Sequence, residues 1–205
     1  MSPKKMELED DVMRGRLYRA LSALIIASLF LISSPARADT AAALEVLKLP
    51  GVHAIMRHAL ATGTGDPAAF RLDDCRTQRN LDSRGRSQAR AIGQALRDAG
   101  FVFDRILTSQ WCRCRETADL VDLGMPVDFP ALNSFFRDRS SADEQTEEVR
   151  AFLGSLPKSE RALLVTHQVN ITALTGRGIA SGEIFLLEIN EAGKVEVVGE
   201  FLIRP

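Results

Sequence analysis

From residue 39 onward, short apolar runs alternate with amphipathic stretches, the pattern of an α/β domain. Residues 52–56 form an apolar strand candidate, and a polar loop with two close glycines follows over 59–80. Asp82 then caps a predicted helix in which Ala89, Ile92, Leu96 and Ala99 share one face and Gly100 marks the end. Residues 101–108 read as a strand, 111–123 as a helix, 127–129 as a brief strand and 142–156 as a helix. Residues 161–166, with their Ala-Leu-Leu-Val run, are the clearest buried strand, and a helix starts near Ile171. Residues 181–190 and 194–203 make a hairpin through Glu191, Ala192 and Gly193. No internal repeat or low-complexity linker interrupts 39–205, which reads as one domain.

The first 38 residues follow a different logic. Arg14, Arg16 and Arg19 precede an apolar run over 21–32, and Ala36-Arg37-Ala38 supplies the small-residue pattern of a signal-peptidase site. A run of about a dozen apolar residues is short of the roughly 20 needed to span a bilayer. The expectation is therefore a signal peptide over 1–38, cleavage after Ala38, a periplasmic or secreted product and no stable membrane anchor. No cysteine follows the cleavage site, so lipidation there is excluded. The acidic stretch before Met13 is unlike a signal n-region and suggests Met13 as the start.

Charge narrows the partners. The chain has 26 basic and 27 acidic residues, without the basic excess of a nucleic-acid binder. Removing 1–38 takes six basic and four acidic residues, leaving 20 against 23 and a net charge of −3. An anionic substrate must then be captured by locally placed cations. Export also makes disulfides admissible, with Cys75 pairing to Cys112 or Cys114. Free structural cysteines are the alternative. A zinc site is disfavoured, because Cys112 and Cys114 are separated by one residue and no second ligand pair follows.

Ligands of open α/β sheets bind beyond the carboxyl ends of the strands. Arg57 and His58, Thr108 and Ser109, and His167 all follow strand candidates there, so three separated segments point into one crevice. His53 lies an odd interval before His58, on the other side of the strand, and reads as structural.

The residues at those strand ends carry a family resemblance. Met56-Arg57-His58-Ala59 resembles the Arg-His-Gly signature of the histidine phosphatase superfamily, branch 1, the phosphoglycerate mutase-like clan. Leu81, Gly85, Gln88 and Ala89 are similar to that family's next helix start. Thr108-Ser109 with Arg113, Thr117 and Ala118 resembles its Ser-Ser-x-x-x-Arg-x-x-x-Thr-Ala element, and Val165-Thr166-His167 the strand delivering its second histidine. The resemblance implies a three-layer αβα sandwich around a mostly parallel sheet. It also implies that His58 is the nucleophile, that Arg57 and Arg113 hold phosphate oxygens, and that His167 completes the clamp. No cofactor or metal is implied.

Elementary chemistry agrees. Phosphoryl transfer spreads negative charge over three equatorial oxygens, so positioning and charge stabilisation do most of the work. Guanidiniums present planar forks suited to that geometry. A neutral imidazole can attack near pH 7, while a second one among phosphate oxygens is expected to stay protonated. His167 is accordingly expected to act as a cation. Arg115 is read as part of a solvated helix face.

Two departures from the family pattern matter. Ala59 replaces the usual glycine, and Ser134 stands where an acidic residue is expected. Asp138 is the first candidate for the leaving-group proton donor and Glu144 the second. The loop 61–80 is expected to set substrate choice through Gly63-Thr64-Gly65, with Arg71, Arg76 and Arg79 beside it. Gln168 and Asn170 are candidate contacts to a hydroxylated substrate, Asn170 doubling as a helix cap. The expected function is an exported phosphatase that hydrolyses a small phosphomonoester through phosphorylated His58, with envelope sugar phosphates as a substrate class. A catalytically silent phosphate binder is the alternative, and a mutase is disfavoured because glycolytic substrates are cytoplasmic and the chain is short.

Overall fold

In chain order the elements are α1 (Pro35–Leu47), β1 (His53–Arg57), α2 (Ser83–Asp98), β2 (Arg105–Thr108), α3 (Cys112–Val121), β3 (Val127–Asp128), α4 (Ala142–Ser155), β4 (Ala162–Thr166), α5 (Gln168–Thr175), β5 (Glu183–Ile189) and β6 (Val195–Leu202). The structure is a computed structural model that describes residues 35–205, with side chains from residue 40. The apolar run 21–32 and the expected start at Met13 lie outside the described residues. Among the described residues, no helix is long and apolar enough to cross a membrane.

Six strands make one mixed sheet in the order β3-β2-β4-β1-β5-β6. The first four are parallel to their neighbours, while β5 pairs antiparallel with both β1 and β6. Because side chains alternate across a strand, β1 sends Ala54 and Met56 into one core and Ile55 into the other. The first core is covered by α1, α2 and α3 through Leu47, Ile92, Leu96, Ala118 and Val121. The second is covered by α4 and α5 through Val149, Leu153, Ile171 and Leu174. This is the expected α/β sandwich of three layers.

Several boundaries differ from expectation for local reasons. The strand predicted over 101–108 forms only at Arg105–Thr108. Phe101 and Phe103 are buried in the core under α2, so their apolar character reflects packing of a connection, not ladder pairing. Helix α1 carries no sharp periodic signal but buries Ala43 and Leu47. Helix α5 begins at Gln168 with His167 as its N-cap, three residues before the predicted start near Ile171. Asn170 therefore does not cap it. Its amide instead donates to the Asn133 carbonyl at 2.8 Å, tying α5 to the loop after β3.

Three motif residues are explained by how they fasten the segment after β1. Asp82 caps α2 by accepting from the Gly85 N–H at 2.7 Å. Gln88 is buried, accepts from Leu60 N–H and donates to the carbonyls of Ser181 and Ile203. Gly85 lets the Leu60 backbone approach so closely that a Cβ would stand 1.9 Å from its carbonyl oxygen. Gly85→Ala is therefore expected to destabilise the protein by about 3 kcal/mol or more despite alanine's better helix propensity. Chemical denaturation checks this, and a neutral outcome means that the approach is soft.

Candidate active site

The register of the central strands brings the catalytic candidates together. Arg57 on β1 is level with Thr166 on β4, and Thr108 on β2 with Val165. The ladder runs one residue further, with His58 N–H donating to the Thr166 carbonyl and Ser109 N–H to that of Val165. His58, Ser109 and His167 thus emerge side by side at the sheet's carboxyl edge. His58 and His167 line a cleft of about 890 Å3, as do Arg57, Arg79, Arg113 and Trp111. His53 lies at the start of β1 and accepts from the Ala162 N–H at 3.3 Å.

His58 is 1% exposed, and its Nδ1 lies 2.8 Å from the Ala59 carbonyl oxygen. A carbonyl only accepts, so the proton of the neutral ring sits on Nδ1 and the Nε2 lone pair is free. Burial, then the Arg113 charge, holds this imidazole well below its ordinary pKa. Thr117 fixes the segment that follows. Its hydroxyl accepts from Ala59 N–H at 3.0 Å and donates to the Arg113 carbonyl at 2.7 Å.

His167 has the opposite tautomer. Arg113 Nη2 donates to its Nδ1 at 3.2 Å, so the neutral ring carries its proton on Nε2, which faces Ser109 Oγ at 2.9 Å. Ser109 in turn donates to Asn133 Oδ1 at 3.2 Å. Burial first, and then the charges of Arg113, His58, Arg79 and Arg57, pushes His167 well below the usual histidine value. The protein's own charges thus disfavour a cationic His167. A phosphoryl group acts in the reverse direction and favours proton uptake.

Three guanidiniums converge here. Arg57 donates to the Ile179 carbonyl at 3.1 Å, while Arg57 Nε and Arg113 Nε are buried donors with no acceptor among the described residues. Buried unpaired donors are costly, and an oxyanion is a group that satisfies them. Arg79 is anchored through the carbonyls of Gly65 and Ala61, and burial and Arg113 lower its pKa to about 10. Arg71 and Arg76 instead pair with Asp73 and Asp74 on the loop's outer side. Arg115 is ion-paired to Asp128 and does not line the cleft.

The loop between β1 and α2 is fastened to α3 by the Cys75–Cys112 disulfide. Of the two pairings open in the sequence, this one leaves Cys114 as a buried free thiol that burial pushes up to about 12. The bond also uses two of the thiols that a zinc site needs. Gln78, buried beside it, accepts from the Cys112 N–H at 3.0 Å. Gly63 and Gly65 both take positive φ, which lets the loop fold back beneath Arg79. Thr64 lines the cleft on this loop, as does Gln168 at the first position of α5.

Sequence reasoning missed Asp66. It accepts from Arg113 Nη1 at 2.8 Å, Arg79 N–H at 3.0 Å and Trp111 Nε1 at 3.1 Å. Burial raises its pKa, but the Arg113 charge and these hydrogen bonds outweigh that and hold the carboxyl below its ordinary value. Asp138 lines the cleft rim, yet its carboxylate accepts from Ser140 N–H at 2.9 Å, and that bond keeps it below the usual range. This is the wrong direction for a proton donor. Glu144 lies on the exposed first turn of α4 and does not line the cleft.

A family model of the histidine phosphatase superfamily (branch 1) matches residues 53–135, which include Arg57, His58 and Arg113. Over that stretch the chain carries the superfamily's pattern. Its enzyme class is accordingly that of a phosphatase. Among solved structures, this phosphatase is similar to the protein histidine phosphatase SixA complexed with tungstate, at 18% identity and a TM-score of 0.53, over 74% of this chain and 96% of that one. It is also similar to the α-ribazole phosphatase from Shigella flexneri, at 17% identity and 0.53, over 72% and 95%. A third is the product of open reading frame Rv3214 from Mycobacterium tuberculosis, at 15% and 0.57, over 74% and 97%. At these identities the likeness is one of fold. No curated protein matches the sequence.

The three histidines of the phosphatase also set its acid stability. All are buried with lowered pKa values, His53 through burial and the Arg161 charge. In the unfolded chain each titrates near 6.5, so protons bind the unfolded state more tightly. Stability is then complete above about pH 6.5 and is lost as pH falls toward the folded values. The loss is about 1.4 kcal/mol per pH unit for each histidine. Urea midpoints that fall between pH 7.5 and 5 are the expected result, and a flat profile contradicts it.

Proposed function

We propose that the protein is an exported phosphatase that cleaves a small phosphomonoester through a phosphohistidine on His58 Nε2. The observation that carries this reading is the tautomer of His58, its Nδ1 bound to the Ala59 carbonyl and its Nε2 left basic beside three guanidiniums. In the first step the Nε2 lone pair attacks phosphorus, and the ester oxygen leaves with the bonding pair. Water then attacks the phosphohistidine, the P–N bond breaks, and phosphate and free His58 are regenerated. Arg57 and Arg113 stabilise the equatorial oxygens in both steps.

Asp66 and Asp138 are both held as carboxylates, so the ester oxygen leaves unassisted by these two groups. That favours substrates whose leaving groups need little protonation. The Cys75–Cys112 disulfide supports export, because such bonds persist in oxidising compartments. The breadth of the cleft and its mixed lining of Phe70, Trp111, Thr64, Asn133 and Gln168 support a polar, ring-bearing substrate, with phosphorylated envelope sugars as the class to screen. The tungstate bound by SixA is a tetrahedral oxyanion of the kind expected here.

The test is turnover of p-nitrophenyl phosphate in EDTA, with rapid quenching to trap an acid-labile, alkali-stable phosphoenzyme. Turnover with the label on His58 is expected. Tungstate binding without turnover would instead identify a silent phosphate binder. N-terminal sequencing of the periplasmic product, expected to begin at Asp39, tests export.

A further inference from the structure

We infer that Asp66 is a positioning residue that trims the phosphoryl cage from three positive charges to two and orients Arg113, making the site selective for a phosphomonoester dianion. The inference rests on reading the cleft as a phosphoryl site, and it adds a charge class of substrate and a residue to that reading.

The charges can be followed group by group. Arg57 from β1, Arg79 from the loop and Arg113 from α3 bring three guanidiniums to the base of the cleft. His58 and His167 contribute none while neutral, and the Cys114 thiol beside His167 is likewise uncharged. Asp66 is the opposing charge at this depth, its side chain 9% exposed against 3% for Arg113. At the rim, Arg137 and Arg139 are matched by Asp138 and Asp143. The base therefore carries two net positive charges, complementary to a monoester dianion. A diester brings one negative charge and a diphosphate three or more.

Geometry gives Asp66 its second task. Arg113 donates one terminal nitrogen to Asp66 and the other to His167, which leaves Nε unpaired. The plane of the guanidinium is thus set by two fixed acceptors. Asp66 is held in turn by Arg79 N–H and Trp111 Nε1, so its position does not depend on Arg113 alone.

The experiment compares the full-length protein with Asp66→Asn, which keeps the shape and removes the charge. Tungstate titration is expected to show binding at least about tenfold tighter in the variant, because one negative charge beside the anion is gone. Inhibition by product phosphate should tighten in parallel. The pKa values of His58 and His167, readable by NMR in a chain with three histidines, should fall further, because the opposing carboxylate charge is gone. Asp66→Glu, which retains the charge, should bind tungstate within about threefold of the parent. Unchanged or weaker binding in folded Asp66→Asn overturns the proposal.

A second measurement needs no variant. In the unaltered protein, phenylphosphonate dianion is expected to bind at least about tenfold tighter than the dimethyl phosphate monoanion. Dimethyl phosphate binding as tightly as the dianion overturns the charge assignment. These readouts are of binding, so their failure is distinct from a failure of turnover, which would strike the proposed activity instead.

Discussion

His58→Ala is expected to lower p-nitrophenyl phosphate turnover by at least about 10^3-fold and to abolish the trapped phosphoenzyme, while tungstate still binds. The separation follows from the site's construction. Arg57, Arg79 and Arg113 are anchored by contacts that do not involve the His58 ring: the Ile179 carbonyl, the Gly65 and Ala61 carbonyls, and Asp66. Removing the imidazole therefore removes the proposed nucleophile and leaves the charge cage. Residual turnover near the parent's level would mean that another group attacks phosphorus. The remaining histidines make poor substitutes. His53 is at the far end of β1, and His167 has its Nδ1 engaged by Arg113 and its Nε2 by Ser109.

Arg113→Ala should cost both stability and activity, and the two losses are separable. Its removal strips a buried carboxylate, Asp66, of its charged partner, a change that costs about 3 kcal/mol or more when an ion pair is this well buried. It also removes one arm of the proposed phosphate clamp, for an expected loss in kcat/KM of about 10^2-fold or more. Adding Asp66→Asn to Arg113→Ala takes away the stranded charge. The double variant is expected to regain most of the stability and none of the activity. Equal stability losses in the single and double variants would show that the Asp66–Arg113 pair is energetically idle. Denaturant midpoints and steady-state kinetics on the four proteins of the cycle give the coupling.

The residues legible in the sequence were those whose position a strand dictates. Arg57, His58, Ser109 and His167 each follow an apolar run, and the topology brings the ends of such runs together. Arg113 was legible through its place in the element that begins at Ser109. Asp66 was not, because it sits in a polar loop 47 residues from Arg113, and no period or spacing marks a carboxylate that turns inward. Asn133 was passed over for a similar reason, since its bonds to Ser109 and Gln110 depend on a turn after the two-residue β3. The over-long strand at 101–108 came from treating apolar content as pairing, when Phe101 and Phe103 pack without a ladder.

The disulfide has a consequence for how the site is assembled. Cys75 and Cys112 close a covalent ring across a separation of 37 residues, worth about 4 kcal/mol in chain entropy on the loop-closure estimate. Arg79, α2, β2 and Ser109 lie within that ring, while the two cleft histidines arrive on opposite tails, His58 ahead of it and His167 behind. Strand β4, from the trailing tail, lies between β1 and β2. The cage is complete only when that strand has threaded into place between partners from the leading tail and the ring. Enzymatic competence therefore reports finished topology, and a chain halted with β4 undocked keeps its ring and lacks its chemistry.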